Sequence, residues 1–63
     1  MRELPELLKL RALANNPFKE KILEMFIIRA GNKLEKKCIR ALELLQEGKD
    51  FGRALADSLD RSK

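Results

Sequence analysis

The chain has 63 residues, one domain at most, and so short a chain buries only about 60% of the surface its unfolded form exposes. A single cysteine, Cys38, and the absence of histidine exclude an internal disulfide and a zinc site, which leaves helix packing and self-association to stabilise it. With 44% hydrophobic residues the chain is too apolar for a disordered tail, and 14 Lys and Arg against 10 Asp and Glu leave a net charge of +4, which permits an anionic partner without requiring one.

The pattern predicts an all-α fold in a single domain over residues 1–63: a small bundle of three main helices, over about 4–14, 17–30 and 33–47, plus a short fourth over about 51–60. Valine and threonine are absent, so strands lack their usual residues. In the first helix Pro5 suits the opening turn, and Leu4, Leu7, Leu8, Leu10 and Leu13 supply the apolar face. Asn15-Asn16-Pro17 ends it, since a residue before proline avoids the helical region. The second helix starts at Pro17 with Asn16 as N-cap and stops at Gly31. Asn32 and Glu35 then suggest a capping box opening the third, which Gly48 closes. Asp50 caps the fourth, whose face is Phe51, Ala54, Leu55, Ser58 and Leu59.

Two surfaces stand out. On the second helix Phe18, Ile22, Leu23, Met25, Phe26, Ile27 and Ala30 cover about half the circumference, with Ile28 outside that arc among Lys21 and Glu24. Either this helix is the centre of the bundle, touched by all the others, or it also carries a partner or dimer interface, with Ile22, Met25, Phe26 and Ile28 as the contact residues. On the third helix Lys33, Lys36, Lys37 and Arg40 fall within about 100° of one another, with Arg29 just before them. They lie opposite the stripe Leu34, Cys38, Ala41, Leu42 and Leu45. Cations at a helix N-terminus oppose its dipole, so helix stability does not explain them. They are either a solubilising face or a contact for nucleic acid or an acidic protein. Cys38, on the apolar stripe, is expected to pack as a small hydrophobe.

The stretch Ala41-Leu42-Glu43-Leu44-Leu45-Gln46-Glu47-Gly48-Lys49 looks like the first helix and turn of many small DNA-binding modules, but the next helix exposes Asp57 and Asp60, which phosphates would repel. The overlapping stretch from Glu47 to Ala56 is similar to the helical hairpin of type II secretion F-type proteins, over a minor part of the chain and without that family's membrane spans. Neither likeness supports a family assignment.

For catalysis there is no histidine, no glycine-rich phosphate loop, and no hydroxyl besides Ser58 and Ser62. No apolar run approaches the roughly 18 residues of a spanning helix, and Arg2, Glu3, Glu6 and Lys9 do not suit a signal peptide. The expectation is a cytoplasmic, non-enzymatic regulatory or adaptor protein. It would bind another protein, as a homodimer, without cofactor, metal, membrane or small-molecule substrate. The alternative is a nucleic-acid-binding protein using the basic face.

Overall fold

The computed structural model describes residues 4–60. Helix α1 spans Pro5–Leu13, α2 Pro17–Ala30, α3 Leu34–Gln46 and α4 Phe51–Asp60, with no strand among the described residues. This is the expected small helical bundle, with bounds within a residue of the sequence reading.

The chain ends each helix by identifiable chemistry. Asn16 Oδ1 accepts the Lys19 N–H at 2.9 Å, and Asp50 Oδ1 accepts the Arg53 N–H at 2.9 Å. Each such cap contributes about 1 kcal/mol. At the end of α3 the Lys49 N–H donates to the Leu44 carbonyl at 3.2 Å and the Gly48 N–H to the Leu45 carbonyl at 3.1 Å. That is a Schellman ending, and it places Gly48 at a φ of 103°.

The capping box expected at Asn32 and Glu35 does not form. Gly31, with φ 57° and ψ −131°, turns the chain, and Gly31–Lys33 then make one turn of 3-10 helix that runs straight into α3. Asn32 therefore sits inside a helical turn and lacks the extended backbone of an N-cap. Lys33 flanks α3 instead, without a side-chain cap.

The core draws on all four helices: Leu7, Leu10 and Ala14; Leu23 and Phe26; Cys38, Ala41 and Leu44; Phe51, Ala54 and Leu55. Packing is most extensive between α3 and α4, then between α2 and α4, then between α1 and α3. The centre of the bundle is thus α3 with α4, and α2 meets α1 and α3 only lightly. Small residues at Cys38, Ala41 and Ala54, all fully buried, let α3 and α4 approach closely.

Two apolar stripes differ from the sequence reading. On α1 the buried residues are Leu7 and Leu10, followed by Ala14, so Leu8 and Leu13 face solvent. On α3 Leu44 takes the buried place, while Leu34, Leu42 and Leu45 are half-buried. No helix among the described residues is long and apolar enough to cross a membrane.

Candidate functional site

Helix α2 carries two apolar faces. Leu23, Phe26 and Ala30 point into the core. At about 100° per residue, Phe18, Met25 and Ile28 fall within about 80° of one another, on a face roughly 150° round from the buried one. Their exposures are 74%, 53% and 77%. Lys21 lies within this exposed stripe and Ile22 borders it, half-buried, with its Cδ1 against Gly52 of α4. A Cβ added at Gly52 would stand 3.5 Å from that atom, ordinary contact distance.

Of the four residues read from the sequence as contacts, Met25 and Ile28 are open to a partner and Ile22 is partly so. Phe26 is corrected: at 1% exposure it belongs to the core, because it lies on the same side of the helix as Leu23 and Ala30. Phe18, noted only as part of the apolar arc, joins the exposed stripe. It stands at the first turn of α2, 74% exposed. A groove of about 550 Å³ runs beside it, lined in part by Leu13, Phe18, Ile22 and Leu45, with Lys19 and Lys49 at its edges.

The basic residues do not act as one set. Lys37, half-buried, donates from Nζ to the Ser58 carbonyl at 3.2 Å and more weakly to the Leu59 carbonyl at 3.5 Å. These are carbonyls of the last turn of α4, where the helix dipole favours a cation. The cation that opposes the dipole of its own helix thus complements that of the next. Arg40 is held by Glu43, Nη1 to Oε1 at 3.0 Å. Arg29, Lys33 and Lys36 remain exposed at the junction of α2 and α3.

Cys38 is fully buried, and burial, with the nearby Glu6 carboxylate adding to it, pushes the thiol up to about 11. A thiol so raised is neutral at ordinary pH and a poor nucleophile. Glu6 comes from the first turn of α1, and its Oε1 is shut from solvent without a hydrogen-bond partner among the described residues. Ser58, on the apolar face of α4, is buried and donates from Oγ to the Leu55 carbonyl at 2.8 Å. Ser62 lies outside the described residues. No cluster of three or more His, Cys, Asp or Glu able to hold a metal occurs among the described residues. Compared with known proteins, the chain matches no family model, no curated protein sequence and no solved structure.

Proposed function

We propose that this chain is a non-enzymatic regulatory or adaptor protein that acts by binding another protein through the outward face of α2. The observation that carries this reading is the grouping of Phe18, Met25 and Ile28 on one exposed stripe. Scattered exposed apolar residues are ordinary on a surface, whereas a stripe on one helix is the pattern that helix-to-groove and helix-to-helix recognition uses. Removing it from water would contribute about 25 cal/mol per Å² of apolar area, with Lys21 inside the stripe and Glu24 and Arg29 at its borders setting orientation.

The test is quantitative capture by immobilised protein from the cells it comes from, comparing wild type with Met25→Asp and Ile28→Asp. A protein held by wild type and lost with both variants supports the reading. An identical profile for all three overturns it. Far-UV circular dichroism checks that the exposed substitutions leave the fold intact.

The second reading, nucleic-acid binding, is favoured by the open cluster of Arg29, Lys33 and Lys36. With Lys37 bonded to the end of α4 and Arg40 paired with Glu43 on the surface of α3, three cations of the cluster remain for phosphates. Binding through them would be weak, with log affinity falling against log salt at a slope near −3, since each phosphate neutralised contributes about −0.9. A gel-shift titration with duplex DNA and RNA that shows nothing at low salt removes this reading.

A further inference from the structure

We infer that the groove beside Phe18, with the basic shelf next to it, receives an acidic segment of a partner protein that carries large apolar side chains. This rests on the reading of the chain as a protein binder and gives the partner's chemistry, at a surface joined to the α2 stripe through Phe18.

All four helices bring an end to this groove. Leu13 closes α1, Phe18 lies in the first turn of α2, Leu45 in the last turn of α3, and Phe51 opens α4. Ile22 joins them one turn beyond Phe18. Leu13 and Phe18 are exposed, and Ile22 and Leu45 are half-buried, so these walls are apolar and still in water. The volume of about 550 Å³ falls within the roughly 300–1,000 Å³ of sites that enclose a ligand group.

Charge selects the occupant. Lys19 and Lys49 line the groove, and past Lys49 and Asp50 the surface continues as a shallow shelf with Arg53 and Ala56. No ion pair or side-chain hydrogen bond among the described residues holds Lys19, Lys49 or Arg53. Among the described residues Asp50 is the one acid lining either surface, and its Oδ1 already accepts the Arg53 N–H at 2.9 Å. Glu20 lines a separate recess with Arg11 and Glu24, and Glu43 is paired with Arg40. Three free cations against one engaged carboxylate give the apolar groove a positive border. Carboxylates of an acidic segment meet that border as its apolar side chains enter, whereas a basic segment with the same anchors is repelled.

The experiment is calorimetric titration and amide NMR of the whole chain with short synthetic peptides. One carries leucine at every third or fourth position and glutamate elsewhere; one control replaces glutamate by lysine, the other leucine by serine. The leucine–glutamate peptide should bind about tenfold or more tighter than either control. It should shift the amides of Leu13, Phe18, Leu45 and Gly52 most. Lys49→Glu combined with Arg53→Glu should weaken it about tenfold and strengthen the lysine peptide by a similar factor. Both changes put carboxylates at the start of α4, where the helix dipole favours them, so the fold stands, as circular dichroism would check.

No binding at millimolar peptide, equal binding of the glutamate and lysine peptides, or shifts centred on Arg29, Lys33 and Lys36 overturns the inference. A serine control that binds as tightly points to a polyanion such as nucleic acid and overturns it too. If the titration fails while capture is lost with Met25→Asp and Ile28→Asp, the groove falls and the α2 stripe stands. The expected titration with capture unchanged by those two variants gives the reverse.

Discussion

Cys38 and Lys37 are neighbours in sequence with opposite environments, and each yields a measurable consequence. The Cys38 thiol is raised from 9.0 to about 11 by burial first and by Glu6 second. Below about pH 9 it is protonated in both folded and unfolded chains and adds no pH dependence. Between 9 and 11 the unfolded thiol ionises while the folded one keeps its proton, so stability falls as pH rises. The loss amounts to about 2–3 kcal/mol at pH 11. Urea unfolding of wild type and Cys38→Ala at pH 8 and pH 11 should show the larger decline in wild type, lysine titration being common to both. Glu6→Gln should lower the thiol partway, because burial remains when the charge is gone. For Lys37, replacement by Met keeps the apolar stem but removes the donor to the end of α4, and should cost about 0.5–1.5 kcal/mol. The same change at exposed Lys36 should stay within about 0.5 kcal/mol. Denaturation midpoints of the two variants give the comparison directly.

At the level of elements, Gly31 is the position where backbone decides the outcome. Its φ of 57° with ψ of −131° lies outside the region open to L-residues, and nothing lies within 4 Å of a Cβ built there. Gly31→Ala should therefore destabilise by roughly 1–3 kcal/mol through backbone strain alone. A synthetic chain with D-alanine at position 31 should be at least as stable as wild type, since the mirrored backbone is relaxed for it. Thermal unfolding of the two chains separates strain from crowding. The same junction shows what the sequence could and could not reveal. Asn16 and Asp50 were legible because a cap is a local matter: a short polar side chain accepts the N–H three residues on, and a proline or an apolar run marks the start. Asn32 has the same chemistry, but the turn at Gly31 closes so tightly that helix resumes before a cap can form. Periodicity located the apolar arcs without their depth. It put Phe26 on a broad arc with Met25, and only the position of α4 separates the core residue from the surface one. The work of Lys37 was illegible for a related reason: its acceptors lie 21 and 22 residues further along the chain. Its place in a basic cluster suggested an external anion, while its partner is the carbonyl end of a neighbouring helix.

At the scale of the whole molecule, a basic cluster and an apolar stripe that holds Lys21 meet on α2. The open cations Arg29, Lys33 and Lys36 gather at one end of α2, and the apolar stripe runs along its length. Helix α2 is one helix thick, with core on one side and the stripe on the other. Whatever holds the outer face also resists the loss of the inner one. A pairing that only folded chains can make adds to stability in proportion to the logarithm of concentration. Melting temperature should therefore rise with added partner for wild type and stay flat for Ile28→Asp, as calorimetry would record. Folding and partner binding would then be one equilibrium read from two sides of a single helix, and loss of the partner alone would act as a mild denaturant.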